Sequence, residues 1–187
     1  MRKHLFLILS ACLAIVSLTY SDALAQTTSS EPKAEVGAQF CLLRLRDLGV
    51  TDVGVGGRAT YHFNDYLAVE GEVDFFPKDN QDLGGAGRKT AGFFGGLIGY
   101  RSSGFGIYSK IRPGFIHFTR DAFGAPFSST QFAVDIGGVF EFYPSRRSVV
   151  RLDVGDTAIR FGADTILPTG SFWSHNLQFN AGVGFRF

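Results

Sequence analysis

The chain has 187 residues, a length that suits one domain with a single core or a single closed sheet. It carries 24 glycines and 20 phenylalanines against one methionine and one tryptophan, a balance that favours strands and turns over helices. A net charge of +1 supplies no basic stripe of the kind that nucleic acid requires, so nucleic-acid binding is excluded as an expectation.

The N-terminus reads as an export signal. Arg2, Lys3 and His4 form a positive end, residues 5–18 an apolar run, and Ala23-Leu24-Ala25 the small residues a signal peptidase needs before Gln26. The run is about fourteen residues, short of the roughly 20 that cross a bilayer as a helix. Residues 1–25 are therefore expected to be removed, taking Arg2, Lys3 and Asp22 and leaving a neutral mature chain. Leu9-Ser10-Ala11-Cys12 also resembles a lipoprotein processing box, but the apolar run continues past Cys12 to Leu18, which favours cleavage after Ala25. Cleavage there leaves Cys41 alone, so no intramolecular disulfide can form.

Residues 26–34 are polar and read as a short flexible lead. From residue 35 onward apolar and polar residues alternate, the period of a strand with two unlike faces. Eight strands are predicted, at 35–45, 52–63, 67–76, 90–100, 105–116, 131–143, 149–155 and 176–187. In the second, Val53, Val55, Gly57, Ala59, Tyr61 and Phe63 oppose Asp52, Gly54, Gly56, Arg58, Thr60 and His62. The last sets Leu177, Phe179, Ala181, Val183, Phe185 and Phe187 against Asn176, Gln178, Asn180 and Arg186. The fourth is ambiguous, because Phe93 and Leu97 compete with Phe94, Ile98 and Tyr100. Most runs match the roughly 9–11 residues of a tilted membrane strand.

Alternation does not say which face lies outside, and a soluble barrel would turn its apolar face inward around a ligand. Three features favour the inverted arrangement. The apolar faces are expected to carry no charge, as lipid-facing positions require. The polar faces interleave charges of both signs with Gly37, Gly54, Gly56, Gly92, Gly96, Gly106, Gly114, Gly137, Gly155, Gly182 and Gly184. Glycine weakens a water-facing strand but makes room for long side chains inside a narrow barrel. The connections also alternate: 64–66, 101–104 and 144–148 are short, whereas 77–89, 117–130 and 156–175 are long. With both termini in the periplasm, the long ones face the cell exterior.

Residues 56–72, which run from Gly56-Gly57-Arg58-Ala59 through Asn64-Asp65-Tyr66 to Glu70-Gly71-Glu72, resemble the second hairpin of the outer-membrane β-barrel domain family. Lys110-Ile111-Arg112-Pro113-Gly114-Phe115 resembles its fifth strand. Phe187, preceded by alternating apolar residues including Phe185, is similar to the signal read by the outer-membrane insertion machinery. The resemblance covers the mature chain and implies a small eight-stranded antiparallel up-and-down transmembrane barrel of the opacity or adhesion type, in contact with outer-membrane lipid and lipopolysaccharide. It is specific for architecture and says little about activity.

The candidate site is the set of inward charges. Glu70, Glu72, Asp74, Asp135, Glu141 and Asp153 can face Arg58, Lys110, Arg112, Arg151 and Arg186 across the lumen. Buried charges persist only when paired, and eight strands leave room for side chains rather than a channel, so a neutralising plug is expected. His175, beside Ser171 and Ser174, raises a second reading, an enzyme acting on lipid A. Adjacent strand residues point to opposite faces, however, which separates Ser174 from His175. His62 and His117 have no metal-ligand spacing, and the glycine pairs precede no helix, so neither metal nor cofactor is expected. The long segments 77–89, 117–130 and 156–175 are candidates for an extracellular ligand. A soluble periplasmic ligand-binding barrel is the third reading.

Overall fold

Because side chains in a strand alternate sides every residue, a sheet with one apolar face must hide that face or meet a non-aqueous medium. The computed structural model describes residues 31–78, 87–120, 128–162 and 170–187. It contains β1 (Ala34–Leu45), β2 (Val50–His62), β3 (Leu67–Phe76), β4 (Lys89–Arg101), β5 (Phe105–Phe118), β6 (Ser129–Ser145), β7 (Ser148–Phe161) and β8 (Phe172–Arg186). Each pairs antiparallel with its sequence neighbours, and β1 with β8 closes the sheet into a barrel. The seam runs from Glu35 opposite Arg186 to Arg44 opposite Leu177, so the sheet has no edge strand. Ala34 and Phe187 exchange backbone hydrogen bonds of 2.9 Å at its foot.

One end of the barrel, the terminal end, holds the start of β1, the end of β8 and the turns at 63–66, 102–104 and 146–147. Asn64 shapes the first of these, its Oδ1 accepting from the Tyr66 and Leu67 amides at 2.8 and 2.9 Å. Pro144 sits where the β6–β7 register shifts between Phe142 and Ser145, a place where a missing amide costs no ladder bond. The opposite, loop end carries the 46–49 turn, with Gly49 at φ 64, and the three longer connections.

The outer wall is apolar. Phe40, Val53, Ile98, Ile107, Ile111, Phe142, Leu177 and Phe185 are all more than half exposed. A continuous belt of this kind has no place in water and marks a surface built for hydrocarbon. Inside, at the loop end, Leu43, Leu45, Phe76, Phe93, Ile116, Phe118, Ile159 and Phe161 form a buried apolar cluster. Ala68, Leu97, Tyr108 and Val139 make a smaller one nearer the other end. Charged and amide side chains fill the interior between them.

Several expectations need correction. The segment 156–175 is not one long loop: β7 continues to Phe161 and β8 begins at Phe172, so Ala158 pairs with His175 and Arg160 with Trp173. Lys89, His117, Phe118, Ser129 and Thr130 likewise belong to strands rather than to the segments 77–89 and 117–130. In β4 the inward residues are Phe93, Leu97 and, between and below them, Gly95 and Gly99, whereas Gly92 and Gly96 fall on the outer side. Periodicity failed there because both faces of the strand are apolar. The outer wall is also not free of charge, since Arg44, Asp156 and Arg160 all lie on it near the loop end. The cores of the three longer connections, the signal segment at 1–25 and most of the lead at 26–34 lie outside the described residues.

Candidate functional site

Five strands deliver most of the predicted interior charges, each by the two-residue repeat that turns alternate side chains inward, and Arg186 comes from β8. Glu70, Glu72 and Asp74 come from β3; Lys110 and Arg112 from β5; Asp135 and Glu141 from β6; Arg151 and Asp153 from β7; Arg58 from β2. Register sets opposite charges side by side: Arg58 against Glu72, Arg112 against Asp135, Glu141 against Arg151.

Arg112 is the hub. Its guanidinium donates to Glu70, to Glu72 Oε2 at 2.7 Å and to Asp135, whose Oδ2 also accepts from Nε at 2.9 Å. Lys110 Nζ bridges Asp135 Oδ2 at 2.6 Å and Asp153 Oδ1 at 2.5 Å. Arg151 forks onto Glu70 at 2.5 and 2.7 Å and reaches Glu141 Oε1 at 3.1 Å. Glu70 therefore lies between two arginines and accepts a further bond from Thr60 Oγ1 at 2.6 Å. Asp74 has no cation partner among the described residues; it accepts from Gln39 Nε2 and Cys41 Sγ at 3.0 Å and from Gln178 Nε2 at 3.2 Å. The network spans the lumen from β3 to β5, β6 and β7, and its members are 0–2 % exposed.

Arg58 and Arg186 stand apart, nearer the terminal end. Arg186 Nε donates to Glu35 Oε1 at 3.2 Å and stacks 3.7 Å over the Tyr143 ring; Arg58 lies 3.7 Å from Glu35 Oε2. His62, buried, has its Nε2 3.2 Å from Glu35 Oε1. At the loop end Lys89 Nζ meets Asp52 Oδ2 at 2.6 Å. Sequence reasoning left Glu35, Asp52, His62, Lys89 and Arg101 out of the charge set. Glu35 was legible, since it shares the alternation of Gly37 and Gln39. Lys89 was lost with the boundary of β4, and Arg101, which donates to the Pro32 carbonyl at 2.8 Å, with the same strand's other end.

Among the described residues, two groupings have ligand atoms mutually within 4.8 Å: Glu35, His62 and Glu141, and Glu70, Glu72 and Asp153. Arginines already bind both, Arg186 and Arg151 the first, Arg112 and Arg151 the second. A divalent cation would displace guanidinium groups into an apolar interior with nothing to balance them. These sets suit salt bridges rather than metal.

On the outer wall, His175 Nδ1 lies 2.5 Å from Asp156 Oδ2, and His117 Nδ1 2.8 Å from Thr130 Oγ1. Ser174 is 4 % exposed and faces inward, on the side of the sheet opposite His175. Phe185 and Phe187 project outward at the terminal end, 69 and 71 % exposed.

A closed antiparallel barrel of eight strands with phenylalanines outside and salt bridges within defines a transmembrane barrel of the bacterial outer membrane. The model of the outer membrane protein β-barrel domain matches residues 9–187, and the chain belongs to that family. The chain is similar to the N-terminal β-barrel domain of OprF from Pseudomonas aeruginosa, with a TM-score of 0.60 at 12% identity over 85% of this chain and 100% of that one. It is also similar to Ail, the attachment invasion locus protein of Yersinia pestis, solved with the heparin analogue sucrose octasulfate: TM-score 0.45, 15% identity, 83% of this chain and 97% of that one. Neisserial surface protein A gives 0.48 at 17% identity, over 84% and 98%. No curated protein sequence matches. Family and outer wall together overturn the reading of a soluble ligand-binding barrel.

Proposed function

We propose that the protein is a non-conducting outer-membrane barrel with a side-chain-filled lumen, serving envelope integrity and presenting its loop end for surface interaction. The observation that supports this reading is the network of Arg112, Lys110 and Arg151 with Glu70, Glu72, Asp135, Glu141 and Asp153, which joins opposite walls through buried pairs. Every charge in it is committed to a neighbour, so an ion crossing the barrel would have to break several such bonds at once. In this reading residues 1–25 are the removed signal, both termini face the periplasm, and the loop end faces outward among lipopolysaccharide. Phe185 and Phe187 then form the terminal signal for the insertion machinery, and the protein needs no cofactor.

Planar-bilayer recording of the purified barrel tests the proposal. Little or no steady conductance is expected, and large stable open steps would refute a filled lumen.

A lipid A-modifying activity has one observation in its favour, the acid-oriented His175 on the outer wall. A general base needs a nucleophile or a water held within reach, and Ser174 faces away from it. Mass spectrometry of lipid A from cells with and without the protein is expected to show identical species. A mass change abolished by His175→Ala would establish the enzyme.

A further inference from the structure

The two ends of the outer wall differ chemically. Near the terminal end the outward strand positions are mainly aromatic or aliphatic, among them Tyr61, Ile98, Tyr100, Phe105, Phe142, Val183 and Phe185, and none is charged. At the loop end, three adjacent strands carry Arg44 on β1, His175 on β8, and Asp156 and Arg160 on β7, all on the outward side. Register ties them into one arc. Arg44 lies opposite Leu177, Leu177 opposite Asp156, His175 opposite Ala158 and Trp173 opposite Arg160. Neighbouring strands sit roughly 4.8 Å apart, so Arg44 and Asp156, two strands distant, are about 10 Å apart along the wall.

The charges in this arc do not balance. Asp156 is engaged by His175, while Arg44 and Arg160 are exposed and have no carboxylate partner among the described residues. A bare guanidinium next to hydrocarbon is costly, and a planar fork of N–H donors suits a phosphate, which it can grip with two bonds. Trp173 stands between the two arginine strands as an interface aromatic, 47 % exposed.

The geometry points to a binding site on the outside of β7, β8 and β1 for the phosphate groups of a phosphorylated glycolipid in the outer leaflet, the lipid A portion of lipopolysaccharide. Arg44 and Arg160 hold phosphate oxygens from either side, His175 adds a donor on the same face, and acyl chains continue down the apolar wall beneath. The inference rests on the proposed orientation, with the loop end at the cell exterior.

Trp173 is the sole tryptophan and serves as the probe. The full mature barrel is placed in phosphatidylcholine nanodiscs, and its emission is followed while bis-phosphorylated lipid A, dephosphorylated lipid A or phosphatidylglycerol is titrated in. Lipid A should shift the emission at least about tenfold more tightly than the dephosphorylated form, and Arg44→Gln/Arg160→Gln should remove most of that difference while keeping folded gel mobility. Equal affinity for dephosphorylated lipid A, or a folded double variant that binds like the parent, overturns the site. Equal affinity for phosphatidylglycerol overturns the commitment to a glycolipid. Orientation is read separately: Asp47→Cys in the β1–β2 turn should react in intact cells with an impermeant maleimide. Labelling only after the outer membrane is opened sinks the orientation itself, whereas normal labelling with a failed titration sinks only the site.

Discussion

Arg112 shows how much of the interior hangs on one side chain. It touches Glu70, Glu72 and Asp135, and each would be a buried carboxylate short of a partner without it. Breaking a buried pair by removing one partner costs about 3–5 kcal/mol. Arg112→Met should therefore lower stability by that order in urea unfolding from lipid vesicles, followed by the change in gel mobility on boiling. Loss of less than about 1 kcal/mol would show that the carboxylates find other partners. Asp52 and Lys89 test the converse. They pair at 2.6 Å next to the apolar cluster at the loop end, and replacing both members of a buried pair by apolar groups is often neutral. Lys89→Met alone should destabilise measurably, and Asp52→Leu/Lys89→Met should recover most of the loss. Arg112 was legible as an inward charge because Lys110 and Gly114 share its face while Ile111, Pro113 and Phe115 fall on the other. Lys89 was not, because a lysine after Gly87 and Arg88 looks like the edge of a polar loop until the ladder to Phe118 is known.

At the scale of the element, β4 marks where alternation stops being informative. Phe93 and Leu97 point in, Phe94 and Ile98 point out, and only the partners decide which set meets lipid. The adjacent glycines of this strand separate cleanly once the barrel is closed. A Cβ on Gly95 would fall 2.2 Å from the Ile111 carbonyl oxygen and 2.7 Å from the Arg112 Cα, whereas one on Gly96 would meet nothing closer than 4.0 Å. The tight spot coincides with a gap in the β4–β5 register opposite Arg112 and Pro113, where the proline has no amide to give the ladder. Gly95→Ala should thus cost roughly 1–3 kcal/mol through backbone displacement, and Gly57→Ala on the outer wall, with only the Gly37 carbonyl at 3.7 Å, should be tolerated. Refolding yield into vesicles distinguishes the two, and equal yields would mean that β4 can slide away from β5. The extension of β7 to Phe161 was missed for a related reason. Asp156 and Arg160 break the apolar face that a membrane strand is expected to keep, and the pattern reads as a loop although the backbone ladder continues to Phe172.

For the molecule as a whole, the lumen proposed to be filled would be closed twice, by different chemistry. The apolar cluster of Leu43, Phe76, Phe93, Ile116, Phe118 and Phe161 lies inside at the loop end, and the salt-bridge network lies below it. Eight-stranded closure was legible from the strand count and the alternating connections. The apolar layer was not, because Cys41, Leu43 and Leu45 on the inner face of β1 are flanked by the equally apolar Phe40 and Leu42 outside. Two independent closures lead to a specific expectation for conductance. Leu43→Ala/Phe76→Ala/Phe118→Ala hollows the upper layer, but an entering ion still meets guanidinium groups locked to carboxylates, and desolvating it there costs more than the cavity returns. Conversely, Arg112→Ala/Arg151→Ala frees the middle but leaves the apolar layer, which stays dry as apolar cavities do. Neither variant should pass steady current in a planar bilayer, whereas their combination, provided it still shows folded gel mobility, should open measurable steps. Steady conductance from the upper-layer variant alone would mean that the salt-bridge layer is a permeable filter, and the barrel would then have to be understood as a gated pore whose only seal is phenylalanine and leucine.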